Sequence, residues 1–219
     1  ILHSPVFGGM LKIIPNGIYL CFVMTKAERT RQYIIEKTAI LFNTKGYADT
    51  SLNDIVELTG LTRGAIYGNF TNKDELSIEV FNYQYNQLRS AIQQEMGRAD
   101  GAVNKLKAMI DYYRRHYREL SARGGCAILN AATEADDSFP LLRARVRSAI
   151  RSWQKAIIQV LEDGIKAGEI CLGLDTTRFA SLIIAMVEGG IMLAKILKDE
   201  SRLMLVLDQV DQLIETERL

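Results

Sequence analysis

The chain has 219 residues, of which 48% are hydrophobic and 24% charged, with a net charge of +1. That profile excludes a disordered chain and leaves room for one large domain, or a small and a medium one, each with its own core. Three prolines permit long uninterrupted helices, and the near-zero charge neither demands nor forbids nucleic acid, which needs only a local basic surface.

Residues 1–23 are apolar, with Lys12 as the only charge. Pro15, Asn16 and Gly17 break the run, and no small-residue cleavage site follows, so it does not read as a signal peptide. It is also too short to span a membrane. It reads as an extension of a domain that begins near Met24, and it is the one place where strands compete with helix.

From Met24 the periodicity is helical. Thr25 and Glu28 form a capping box ahead of Ile34, Ile35, Thr38, Ala39, Leu41 and Phe42, and Gly46 is expected to end that helix as a left-handed cap. A short helix is predicted from about Leu52 to Thr59, capped by Thr50 or Ser51. A third runs from near Thr62 to near Phe70, and a fourth from Asn72 to about Met96. After a break at Gly97 to Gly101, one face carries Val103, Leu106, Ile110, Tyr113, Tyr117 and Leu120. Gly124 and Gly125 precede a short helix from about Cys126 to Ala135, and Asp136, Asp137 and Pro140 mark a loop. A long helix follows through Leu142, Val146, Ala149, Ile150, Trp153, Ile157, Val160 and Leu161. Asp175 to Thr177 cap another, to about Leu197, and the last runs from about Arg202 to Ile214.

The segment Thr50 to Phe70 has the logic of a helix-turn-helix. Leu52, Ile55 and Val56 give a short helix one buried face. Gly60 sits at the sharp turn, where a positive φ costs glycine little, and Leu61 plugs it. Thr62 caps the next helix, Gly64 and Ala65 keep it slim, and Ile66 and Phe70 anchor its back. Arg63, on the first turn, can donate two hydrogen bonds to a guanine edge. Thr62 and Asn69 are candidates for bases or phosphates.

The spacing of Gly46-Tyr47, Thr50-Ser51, Ile55, Thr59 to Thr62, Gly64, Tyr67, Phe70, Asn72 to Asp74 and Leu76 resembles that of the tetracycline-repressor (TetR) family of bacterial regulators, over about Arg29 to Leu76. Gly68 and Asn69 depart from the common pattern, so no operator sequence transfers from a relative. The resemblance implies an all-α fold: a helix-turn-helix DNA-binding domain at 24–71 and a ligand-binding and dimerisation domain at 72–219. It implies a repressor released from operator DNA by a small effector. The DNA-contacting set is then Thr50, Ser51, Thr62, Arg63, Gly64, Ala65, Tyr67, Asn69 and Lys73, with Thr50, Tyr67 and Lys73 on phosphates.

The helix ending near Leu197 is apolar nearly all round, so a soluble chain needs a partner to cover it. With the last helix it reads as a four-helix homodimer interface, in which Gly189 and Gly190 allow close approach. Candidate effector-lining residues are Tyr113, His116, Tyr117, Cys126, Leu129, Asn130, Trp153, Met186 and Glu188, with Glu134 as a possible second acid. Cys21, Cys126 and Cys171 are scattered, and His3 and His116 make no ligand cluster. No disulfide framework, metal, cofactor or membrane partner is therefore expected, and the setting reads as cytoplasmic. A helical enzyme or a protein-interaction module without DNA function is the alternative, but no nucleophile elbow or phosphate loop supports an enzyme.

Overall fold

A computed structural model describes the backbone of residues 10–13, 19–22 and 24–219, and the side chains from Met24 on except those of 136–138. Met10–Ile13 (β1) and Tyr19–Phe22 (β2) pair antiparallel, with Met10 opposite Phe22 and Ile13 opposite Tyr19. The expectation that strands compete only in this extension holds among the described residues.

The rest is helical: α1 Lys26–Lys45, α2 Leu52–Thr59, α3 Arg63–Tyr67, α4 Lys73–Met96, α5 Ala102–Ala122, α6 Ala127–Ser138, α7 Pro140–Ala167, α8 Thr176–Leu197 and α9 Ser201–Thr216. Local chemistry sets most starts. Thr25 and Glu28 close the expected capping box on α1, Asn72 accepts from the Glu75 amide on α4, and Asp175 accepts from the Arg178 amide on α8. The α1–α3 unit packs on the first turns of α4 around Ile34, Phe42, Ile55, Ile66, Phe70, Leu76 and Val80. The larger unit encloses Leu106, Ile110, Tyr113, Leu142, Ile157, Leu161, Ile183, Val187, Leu207 and Val210. Each such side chain contributes about 1.5–3 kcal/mol of burial, so α4, shared by both units, is held from both ends.

Four expectations are corrected. Gly46 has φ 97° and ψ 159°, so its φ is positive but its backbone is extended rather than left-handed helical. The loop expected at Asp136, Asp137 and Pro140 shrinks to Phe139, because α6 continues to Ser138 and Pro140 sits at the first position of α7, where its missing N–H costs nothing. The helical ladder of α3 closes at Tyr67, although the Phe70 amide still bonds the Ile66 carbonyl. Gly190 does bring two helices together, but within one chain: a Cβ there would meet Leu203 of α9 at 2.8 Å. Gly189 has open space instead.

By length and composition α8 could cross a membrane. Here Ile183, Val187, Ile191 and Ala194 form a buried face, while Leu182, Met192, Leu193, Ile196 and Leu197 are exposed, together with Leu205 of α9.

Candidate nucleic-acid interface and effector cleft

Ser51 and Asp54 cap α2 reciprocally, and the Lys45 ammonium donates to Asp54 Oδ2 at 2.6 Å. Lys45, then the Ser51 amide and hydroxyl, hold the Asp54 carboxyl down at about 2. Gly60 takes the left-handed conformation (φ 68°, ψ 11°) the tight turn requires. The Thr62 hydroxyl accepts from the Ala65 amide at 3.1 Å, which starts α3. Ile66 and Phe70 are buried behind it, whereas Arg63, Gly64 and Tyr67 face outward, Tyr67 with 52% of its surface exposed. Arg63 Nη2 donates to Asn53 Oδ1 of α2 at 2.5 Å, which aims the guanidinium along the outer face of both helices. Asn69 folds back, its amide donating to the Ala65 carbonyl at 2.8 Å.

Two of the expected phosphate ligands are committed elsewhere. Thr50 is fully buried and its hydroxyl donates to the Gly46 carbonyl. The Lys73 ammonium donates to the carbonyls of Tyr47, Ala48 and Thr50 at 3.0, 2.9 and 3.0 Å. All three of its protons are used on the carbonyls of this loop. Both residues position the entry to α2, and the exposed hydroxyl at that entry is that of Ser51.

The same loop is gripped from the C-terminal side. Glu134 of α6 accepts from the Ala48 amide and so faces the α1–α2 loop rather than the space between α4, α5 and α7. Asn130 donates to Asn43 Oδ1, the Asn43 carbonyl and the Gly124 carbonyl at 2.9, 3.1 and 2.8 Å. Asn43 returns hydrogen bonds to the Arg123 and Gly125 carbonyls, and Lys195 of α8 donates to the Gly124 carbonyl at 2.7 Å. Asn130 thus joins the end of α1 to the α5–α6 turn.

A narrow cleft of about 50 Å³, partly open to solvent, lies between α4, α5 and α7. Tyr113 and Trp153 line it with ring centroids 6.2 Å apart, beside Met96, Met109 and Ile157. Tyr113 Oη and Trp153 Nε1 are buried without a hydrogen-bond partner among the described residues. Burial first, then nearby Cys126 and Glu188, push the Tyr113 phenol far up. The Cys126 thiol donates to Glu188 Oε1 at 3.0 Å, and Glu188 Oε2 has no partner among the described residues. Burial raises the Glu188 carboxyl to about 7, against the pull of that thiol.

Of the nine expected effector residues, only Tyr113 and Trp153 line this cleft. Cys126 and Glu188 form the adjoining buried pair. His116 stacks on Tyr112 and meets its carbonyl, Leu129 and Met186 pack on the core margin, and Tyr117 lies with Lys195 and Glu200. The wall that sequence reasoning missed is α4: Tyr85, Leu88, Ile92 and Met96. Their three- and four-residue spacing was the available signal.

Comparison with known proteins agrees with this arrangement. Residues 34–80 match the family described as bacterial regulatory proteins, tetR family, and residues 102–210 match the tetracyclin repressor-like C-terminal domain. The HTH-type transcriptional regulator TtgR of Pseudomonas putida is 30% identical over 196 residues, covering 88% of this chain and 89% of its own. The HTH-type transcriptional regulator YxaF of Bacillus subtilis is 29% identical over 192 residues, covering 87% and 98%. A TetR-family regulator from Cytophaga hutchinsonii superposes with a TM-score of 0.83 at 36% identity, covering 90% of this chain and 98% of its own. With a helix-turn-helix at one end, an apolar cleft at the other and these relatives over nearly its full length, the chain belongs to the TetR family of helix-turn-helix, ligand-responsive transcriptional regulators.

Proposed function

We propose that the protein is a repressor that grips operator DNA as a homodimer and lets go when a small effector enters the α4–α5–α7 cleft. The observation that carries this is the exposed face of α2 and α3. Arg63, Tyr67, Ser51 and the slim Gly64-Ala65 pair lie outward over a buried Ile66–Phe70 back, on a unit joined to the cleft by the continuous α4. Residues 24–71 read DNA and 72–219 bind effector and dimerise, with 1–23 as an extension. Arg63 reads a guanine edge, exchanging its Asn53 contact for the base. Thr62, Gly64 and Ala65 bring backbone close to the groove, Tyr67 takes a phosphate, and Ser51 does so by exchanging its Asp54 contact. Asn69 reaches DNA only by leaving the Ala65 carbonyl. Thr50 and Lys73 act through the loop they hold.

Members of this family bind operator DNA and effector ligands as dimers, and the exposed apolar residues of α8 and α9 are the surface we assign to the partner copy. The effector is largely apolar, with an acceptor for the buried Trp153 N–H and a polar group for Tyr113 Oη. The relatives are regulators, and a DNA-binding protein of this kind works in the cytoplasm. The test is duplex binding by Arg63→Ala. Discrimination between a selected operator and random DNA should fall by about 1–3 kcal/mol while random-sequence affinity changes little. Unchanged discrimination overturns the assignment.

A further inference from the structure

The helix-turn-helix unit carries little net positive charge. Between Met24 and Thr71 the chain carries six basic and five acidic side chains. Arg31 pairs with Glu75 and Lys45 with Asp54. Lys73, just beyond, uses its protons on backbone carbonyls. Duplex DNA carries about one negative charge per 1.7 Å of axis, and regulators gain much of their affinity by neutralising several phosphates. Lys26, Arg29, Lys37 and Arg63 hold no ion pair among the described residues, a modest supply to which a neighbouring basic face adds.

The opposite pattern lies on α7. From Pro140 to Leu161 there are five basic residues, Arg143, Arg145, Arg147, Arg151 and Lys155, and no acidic one. All five are exposed, and Arg145, Arg147, Arg151 and Lys155 hold no ion pair or hydrogen bond among the described residues. Arg143, Arg147, Arg151 and Lys155 follow at four-residue steps, a stripe of about 18 Å along the helix. It begins beside the DNA-reading unit, because Phe139 and Leu142 at the start of α7 wall one cavity with Tyr47, Ala48 and Lys73 of the loop entering α2. In a molecule of net charge +1, this is a strongly one-signed helix face next to the nucleic-acid interface.

We infer that the α7 stripe is a second DNA contact, which binds duplex phosphates without reading sequence and extends the surface of the helix-turn-helix. The inference rests on the DNA-binding reading above. It assigns the non-specific, salt-dependent component of affinity to α7 and leaves base recognition to α3. The choice of DNA over other acidic partners follows from this continuity with the helix-turn-helix and from the small net charge of that unit.

The test uses the full chain and a random-sequence duplex, with affinity measured by fluorescence anisotropy over a salt series. The variant Arg147→Gln/Arg151→Gln/Lys155→Gln changes only exposed side chains. It should lower the slope of log affinity against log salt by about 0.9 for each lost phosphate contact, a fall of about 2–3 in all. Arg147→Lys/Arg151→Lys keeps the charge and should keep the slope. An unchanged slope in the glutamine variant overturns the stripe as a DNA contact. So does a slope change that appears only with loss of the dimer by light scattering, which would place the stripe against the partner copy. A wild-type protein with no salt-dependent duplex binding would instead overturn the regulator reading itself, a distinguishable result.

Discussion

Glu188 stands on a helix whose neighbours are almost all apolar, and among the described residues only a thiol answers its carboxylate. Its folded-state pKa, about 7, lies above the ordinary 4.5. The native protein therefore keeps a proton that the unfolded chain has lost. The penalty is absent below about pH 4.5, grows as pH rises and is complete above about pH 7, at a ceiling of about 3 kcal/mol. The groups facing it are Cys126 from the N-terminal end of α6 and Tyr113 from α5, both with pKa pushed upward and so neutral across that window. Glu188→Gln should stabilise the protein at about pH 8 and bring no gain near pH 4, measured by urea midpoints. Equal midpoint shifts at both values would show that Glu188 is not held protonated. Lys73 gives a second residue-scale prediction. Its removal leaves three carbonyls of the α1–α2 loop without a donor. Lys73→Ala should lower thermal stability by about 1–3 kcal/mol and weaken operator and random DNA alike, with the salt slope retained. A slope lower by about one unit with unchanged stability would return Lys73 to the phosphates.

At the scale of elements, the helix-turn-helix is connected to the C-terminal helices by more than α4. The end of α1, the α5–α6 turn and α8 meet in the hydrogen bonds of Asn43, Asn130 and Lys195. Gly124 lies so close to α1 that a Cβ would stand 2.8 Å from the Asn43 carbonyl, on a backbone with φ 97°. Gly124→Ala should cost about 1–3 kcal/mol through that clash. Asn130→Ala should leave effector affinity near wild type but reduce the effect of effector on operator affinity, because α6 then moves without carrying α1. Calorimetric effector titrations with and without operator measure both quantities. Full coupling in Asn130→Ala would leave α4 as the sufficient link.

At the scale of the whole molecule, the apolar strip of Leu182, Leu193, Ile196, Leu197 and Leu205 needs cover. Leu193→Arg or Ile196→Arg should convert dimers to monomers or aggregates by light scattering. Ile191 behaves differently. It is fully buried in its own subunit, so Ile191→Arg should unfold the chain rather than merely dissociate the dimer. In the dimer the two α3 helices must lie about 34–36 Å apart to enter successive major grooves. An effector that favours another spacing lowers operator affinity, and operator lowers effector affinity by the same factor. Trp153 lines the cleft, so its fluorescence should follow effector binding. An effector affinity indifferent to saturating operator would exclude the coupling.

The sequence by itself determined most of the helices, most of their caps and the helix-turn-helix, because these depend on neighbours three or four residues apart. Thr25 with Glu28, Gly60, Thr62 and Asn72 all work within one turn of chain. It also carried the family, since the spacing from Gly46 to Leu76 is a linear pattern. Which side chains are free to touch a ligand was decided only by tertiary structure. Lys73, Thr50, Asn130 and Glu134 are polar residues of the kind that contact DNA or effector, and each is consumed by a backbone group distant in the fold or by a loop that long-range packing shapes. Tyr113 and Trp153 are far apart in the chain and meet across two helices, with α4 as the unforeseen third wall. Periodicity reports that a residue is buried; what it is buried against depends on how the helices pack, which no local spacing encodes.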